Sequence, residues 1–254
     1  NFILVKVDDA NKRYKQLIEN GIVIRNRSTQ PLCEKTFVTM GETDANTLSA
    51  NIAKSLAAYI TKLDASHAPF DKFVAGDHNA IPPSAQRGLK YFITDGGCLR
   101  CHFGPWFTDG AFHSIGVGPL GGGPLKDAGR AGAVDKLKTD QFTAGSIHSD
   151  DPNGSRAIVT KHIAKRREDW GAFRTPSLRN VAHTLPYMHA GQLASLDDVL
   201  DHYSTLEKFV SADHHRETIL EPLHLTDEKK ADLISFLESL TAPLPDDSLL
   251  KAPE

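Results

Sequence analysis

The stretch SAQRGLKYFITDGGCLRCH, Ser84 to His102, decides how this chain is read. Its last five residues, Cys98 to His102, place two thiols at C-x-x-C spacing with an imidazole directly after the second. That is the spacing of c-type haem attachment: the two thiols add to the two vinyl groups, and the adjacent His lies under the iron as proximal ligand. Two rivals share the bare CxxC. A thiol-disulfide pair should open a helix after a strand, whereas here a helical pattern precedes the motif and Gly104-Pro105 follows it. A zinc site would need a second Cys/His pair, and Cys33 is the one remaining thiol of three. The reading is haem c, one group, held by Cys98 and Cys101 with His102 on the iron.

Working outward, the spacing predicts a mainly helical chain with long loops. Leu48, Ile52, Leu56, Tyr59, Ile60 and Leu63 recur at three- and four-residue steps, so an amphipathic helix is expected over Thr43 to Leu63. Ser84 is an expected N-cap for a helix over Ala85 to Thr94, closed by Gly96 and Gly97. Ser195, with Asp198 at N3, caps a helix whose inward stripe is Leu196, Val199, Leu200, Tyr203 and Leu206. Thr226 caps a last helix with Leu233, Ile234, Leu237 and Leu240 on one face, ended by Pro243 and Pro245. Between Gly104 and Gly132 the Gly- and Pro-rich sequence argues for loops that wrap something. Asp135 to Asp169, with its basic run Lys161 to Arg167, is expected to be an exposed excursion.

Composition narrows the function classes. With 29 Lys and Arg against 32 Asp and Glu, the net charge of −3 recommends neither nucleic acid nor an anionic membrane as partner. No apolar run is long enough to span a bilayer. Asn1 to Val7 is apolar but lacks the layout of a signal peptide, so the chain reads as a mature or trimmed product. Cys33 reads as a buried small apolar residue. Candidates for a sixth iron ligand are Met40, Met188 and twelve histidines, and pattern alone does not choose among them.

At this point the residues resemble a known family, the bacterial dihaem cytochrome c peroxidases and MauG proteins. The matching segments are SHAPFDKFVAGD (Ser66 to Asp77), SAQRGLKYF (Ser84 to Phe92), CLRCHFGPWFTDGAFHSIGV (Cys98 to Val117), GAFRTPSLRNVAHTLPYMHAG (Gly171 to Gly191) and SLDDVLDHY (Ser195 to Tyr203). Together they cover most of Thr43 to Leu240. The resemblance implies a cytochrome-c-like haem domain over 81–254, with residues 1–80 a helical lead-in from between the two haem domains. The N-terminal haem domain would precede Asn1.

The resemblance also implies site residues. Tyr203 falls where the peroxidases place an axial Met and where MauG-type members use Tyr. Phenolate is a hard anionic donor that favours ferric and higher oxidation states. A calcium ion would take backbone carbonyls at Thr184 and Pro186, and Arg179 would donate to a haem propionate. Implied partners are a second haem domain or subunit and a redox protein: a cytochrome c, a cupredoxin or an oxidised protein substrate. The implied activity is peroxidase-type oxidoreduction with electrons relayed through this haem. The alternative is a non-catalytic monohaem electron-transfer domain. Because CxxCH haem is attached outside the bacterial cytoplasm, a periplasmic location is expected. The Asp135 to Asp169 stretch departs from the peroxidase pattern by its length.

Overall fold

The computed structural model describes residues 45–63, 65–124, 126–140, 142–147, 149–207 and 220–243. Cys33 and Met40 lie outside them. The chain divides into two units, one holding helix α1 and the other running from Ala65 to Pro243. Helix α1, Ala45–Lys62, forms where the three- and four-residue spacing predicts it.

In the larger unit the described elements are α2 (Pro69–Val74), α3 (Pro83–Ile93), a tight helical turn at Cys98–Arg100, β1 (Phe112–His113), α4 (Arg130–Leu137), α5 (Ser155–Lys161), β2 (Phe173–Arg174), α6 (Leu196–Thr205) and α7 (Asp227–Glu238). Among the described residues the strand content is one antiparallel pair of two-residue strands, Phe112 opposite Arg174 and His113 opposite Phe173. The unit is mainly helical with long loops, as the periodicities indicate. It begins at Ala65, earlier than residue 81, because the segment after α1 packs into the same core: Ile81 is buried, and Phe70 and Phe73 pack against the buried cluster.

That core is built on α3 crossing α7. Phe92 of α3 and Phe236 of α7 have ring centroids 5.1 Å apart, and Phe236 also meets Phe70 at 5.6 Å and Phe107 at 6.1 Å. Such edge and tilted ring pairs contribute beyond the area they bury. The crossing is close because residue 88 is glycine. A Cβ there would lie 2.0 Å from the carbonyl oxygen of Asp232. Next to it, Arg87 grips Asp232 through two hydrogen bonds of 2.8 and 2.7 Å, and one turn earlier Ser84 meets Ser235 at 2.8 Å.

The last contact corrects one expectation. Ser84 is not the N-cap of α3: the cap position is Pro82, which makes no side-chain cap bond, and Ser84 sits inside the first turn facing α7. Proline at the first helical position starts the helix by its fixed φ and lacks the one N–H that would otherwise be left over there. The other two caps form as read. Ser195 Oγ accepts from the Asp198 N–H at 3.1 Å while the Asp198 carboxylate accepts from the Ser195 N–H at 2.9 Å. Thr226 Oγ1 accepts from the Lys229 N–H at 3.3 Å. Removing that hydroxyl in Thr226→Ala is expected to destabilise the unit by about 1 kcal/mol, seen as a lower denaturant midpoint with an unchanged slope.

The described residues of the Asp135 to Asp169 stretch are mostly exposed, as read, but α4 runs into it, α5 lies within it, and Ala157 and Asp169 are buried. Its far end is pinned by buried Asp169, paired with Arg130 at 2.9 Å. Charge-rich composition hid these anchors, because the apolar residues that hold the segment are few and isolated.

Candidate functional site

The chain leaves α3 through a left-handed turn. The Gly96 N–H returns to the Tyr91 carbonyl at 2.9 Å, and Gly97 takes a φ of 61° that glycine adopts without steric cost. The tight turn at Cys98–Arg100 follows, and the His102 N–H closes on the Cys98 carbonyl at 3.0 Å. Both cysteines are half-buried and neither is in a disulfide, and Cys98 Sγ donates to the Gly96 carbonyl at 3.5 Å. Burial pushes the Cys98 thiol up to about 11, so it is inert as a thiolate.

His102 is oriented by the loop after it. Its Nδ1 lies 2.9 Å from the Phe107 carbonyl oxygen. A carbonyl only accepts, so Nδ1 carries the proton and Nε2 keeps the lone pair that a metal needs. Burial holds His102 below the usual imidazole range, against the opposing pull of the Phe107 carbonyl and Asp109. The neutral, ligating form is therefore favoured. Phe107 has a φ of 51°, a left-handed conformation that costs a bulky residue about 1–3 kcal/mol. Its ring sits in the phenylalanine core, 5.4 Å from Phe70 and 6.2 Å from Phe92, and that packing holds the strained backbone in place.

Tyr203, on α6, reaches the same place from the far side of the sequence. Burial pushes its phenol well above the ordinary tyrosine range, and the neighbouring Cys98 and Cys101 thiols push the same way. The structure thus brings Tyr203 together with the two thiols. Among the described residues its hydroxyl takes no hydrogen bond, whereas Tyr187 donates to the Val181 carbonyl at 3.1 Å. A phenol held neutral by burial becomes an anionic donor when a cation stands opposite it. His102, Cys98, Cys101 and Tyr203 therefore fit a haem c iron and its two thioether attachments.

The histidines that could compete with Tyr203 near this place are engaged elsewhere. His202 donates from Nε2 to the Ile115 carbonyl at 2.9 Å. His189 stacks on Phe173 with centroids 3.6 Å apart and contacts Gln192. His113 pairs with Asp109 at 2.7 Å. Met188 is half-buried in the turn 187–193.

Asp109 and His113 also form, with Cys101, a cluster whose ligand atoms lie within 4.8 Å of one another. Burial opposes the Asp109 charge, but hydrogen bonds from His113, Ala111 and Thr175 outweigh it and keep the carboxyl below its usual range. Asp109 also donates its N–H to the Cys101 carbonyl at 2.8 Å, so the pair buttresses the motif.

Arg179 has protein partners of its own. Its fork is closed on Asp71, with Nη1 and Nη2 each 2.8 Å from a carboxylate oxygen, and its Nε donates to the Pro105 carbonyl at 2.9 Å. Thr184 and Pro186 are exposed, and neither carbonyl accepts a backbone hydrogen bond among the described residues. Sequence reasoning missed Phe107 and Asp71. Phe107 acts through a carbonyl that every residue has, so nothing in its side chain signals the role. Asp71 lies in the segment SHAPFDKFVAGD, whose charge pattern is that of any solvated turn.

A mainly helical unit with a CxxCH turn and an imidazole held through Nδ1 has the features of a c-type haem site. The chain is homologous to cytochrome-c peroxidases and MauG proteins. It is 34% identical over 197 residues to cytochrome-c peroxidase IdrP1 of Denitromonas iodatirespirans, covering 75% of this chain and 50% of that protein. It is 33% identical over 195 residues to the methylamine utilization protein MauG of Methylorubrum extorquens, covering 76% of this chain and 44% of that one. The chain thus spans about half the length of these relatives. A solved MauG-like protein associated with microbial copper homeostasis aligns with a TM-score of 0.49 at 26% identity, over 73% of this chain and 54% of its own. No protein-family model matches the chain.

The peroxidase relatives leave about a quarter of the chain unmatched, and a different match is nearly of that size. Over 57 residues, 22% of this chain, it is 60% identical to histidinol-phosphate aminotransferase of Flavobacterium psychrophilum. That match is 16% of the aminotransferase's length.

Proposed function

We propose that the unit from Ala65 to Pro243 is the c-type haem half of a peroxidase-type oxidoreductase of the cytochrome-c peroxidase and MauG kind. The observation that carries this reading is the convergence of His102, turned by the Phe107 carbonyl, and Tyr203 with the two thiols of Cys98 and Cys101. One haem c would be held by thioether bonds at Cys98 and Cys101, with His102 and Tyr203 as its axial ligands. Bound there, it supplies one-electron chemistry at an iron that a phenolate biases toward ferric and higher states.

The residues around it do the rest. The Phe107 carbonyl keeps the proton on Nδ1 of His102, and the four-phenylalanine cluster excludes water behind that loop. The relatives' extra length fits a second, peroxide-reacting haem domain, with this unit relaying electrons between it and a redox partner such as a cytochrome c, a cupredoxin or an oxidised protein. Calcium would draw on the Thr184 and Pro186 carbonyls together with groups from that second domain. No described helix is long and apolar enough to cross a membrane. Attachment of haem to CxxCH outside the bacterial cytoplasm supports a periplasmic protein. The segment before Ala65 is given no part in this function.

The alternative, a monohaem relay without catalysis, shares every residue named and differs in haem count. A pyridine haemochrome assay with mass analysis of the native protein should give two haems per polypeptide and peroxide turnover. One haem without turnover would establish the relay. For the iron itself, Tyr203→Phe is expected to keep covalent haem and change the ferric visible spectrum. An identical ferric spectrum would remove Tyr203 from the iron.

A further inference from the structure

The loop from Phe103 to Thr108 is fastened to the segment 175–179 at successive carbonyls. The Pro105 carbonyl accepts from Arg179 Nε at 2.9 Å, the Trp106 carbonyl accepts from Ser177 Oγ at 2.7 Å, and Thr108 Oγ1 donates to the Thr175 carbonyl at 2.7 Å. The Phe107 carbonyl, between them, is the one turned to His102. Arg179 is the strongest of these fastenings. Its side chain is only 10% exposed, its two remaining nitrogens hold Asp71 in a fork of 2.8 Å bonds, and its guanidinium carbon lies 5.3 Å over the Phe107 ring. Asp71 is fixed in turn, since its Oδ2 accepts the Ala68 N–H at 2.8 Å at the start of α2.

We propose that Arg179 and Asp71 are positioning residues for the axial histidine: together they hold Pro105 and the Phe107 ring, and through them the carbonyl that orients His102 and polarises its Nδ1–H. The physical case rests on the strain at Phe107. A bulky residue at a φ of 51° relaxes unless the loop around it and its ring are held, and Arg179 holds both the Pro105 carbonyl two residues earlier and the face of the ring. A fork fully engaged by a carboxylate is rigid in a way a lysine is not, because the planar guanidinium fixes all its donors at once. A hydrogen bond to the distal nitrogen of a ligating imidazole raises its basicity and stabilises the more oxidised metal. Loosening the clamp should therefore move the haem potential upward with the iron ligands unchanged.

The proposal rests on His102 being the axial ligand, and the test separates the two. The haem-loaded protein is prepared as wild type and as Arg179→Lys, Arg179→Gln and Asp71→Asn, with Arg87→Gln as a comparison that breaks an ion pair of the same unit away from the loop. Midpoint potential is measured for each, and the ferrous iron–histidine stretch is measured in the same five proteins carrying Tyr203→Phe, which leaves the sixth position open. In the Arg179 and Asp71 variants the potential is expected to rise, with the ferric-to-ferrous ratio at fixed potential falling about fivefold, the equivalent of one ordinary hydrogen bond. The stretch is expected to fall in frequency, with Arg179→Lys between wild type and Arg179→Gln. Arg87→Gln should leave both readings at wild type. Equal readings in all five proteins overturn the proposal, as does failure of the three clamp variants to accumulate while Arg87→Gln does, since the pair would then serve folding alone. A wild type without haem, or with an iron lacking the histidine signature, would instead overturn the ligand assignment.

Discussion

Cys98→Ser with Cys101→Ser is expected to yield a folded polypeptide without covalent haem: the mass falls to that of the bare chain, and acidified organic solvent removes any residual colour. The thioether bonds form at carbon–sulfur and nowhere else on this site, so serine, though nearly the same size, contributes nothing in their place. His102 would remain turned by the Phe107 carbonyl, leaving only the coordinate bonds of His102 and Tyr203 where two covalent bonds had acted with them. Noncovalent haem held in this way should wash out on dilution. Each single Cys variant is expected to keep one thioether and show an altered haemochrome band. Retention of extractable-resistant haem in the double variant would remove these thiols from the attachment site, and with them the functional reading.

Gly88→Ala is expected to destabilise the haem unit by about 3 kcal/mol, near the top of the range for overpacking, and Gly88→Leu is expected to prevent folded protein from accumulating. The added Cβ would lie 2.0 Å from the Asp232 carbonyl oxygen and 2.6 Å from its carbon, both backbone atoms of a helix that cannot swing aside as a side chain would. Relief requires α3 and α7 to separate, which loosens Arg87 from Asp232 and opens the contact between Phe92 and Phe236. Alanine favours helix over glycine by about 1 kcal/mol, so an exposed glycine at this position would be stabilised by the same change. Urea unfolding decides between the two signs. A midpoint at or above wild type for Gly88→Ala would mean that the helices do not approach as closely as this.

Much of the fold was legible because its signals are local. The spacing of Leu48 to Leu63 is a helix in any context, and the Ser195 and Thr226 caps need only the four residues that follow them. Ser84 failed as a cap for the complementary reason. Its hydroxyl has a better partner in Ser235, far away in sequence, and proline before it had already started the helix. In the candidate site, the CxxCH and the helical stripe carrying Tyr203 could be read directly. The partner of Arg179 could not, since a guanidinium fits a propionate and the Asp71 carboxylate equally well.

The sequence by itself determined the chemistry this chain can hold: two thiols and an imidazole at one spacing, a tyrosine on an inward helical face, and a helical architecture whose periods and caps are written within a few residues. What only the tertiary structure decided is how that chemistry is aimed. That the His102 proton sits on Nδ1, that Phe107 is forced into a left-handed conformation, that Arg179 closes on Asp71 and that Gly88 must lack a side chain all depend on contacts between residues distant in the chain. Such contacts follow from packing, where a few tenths of an ångström separate a hydrogen bond from a clash.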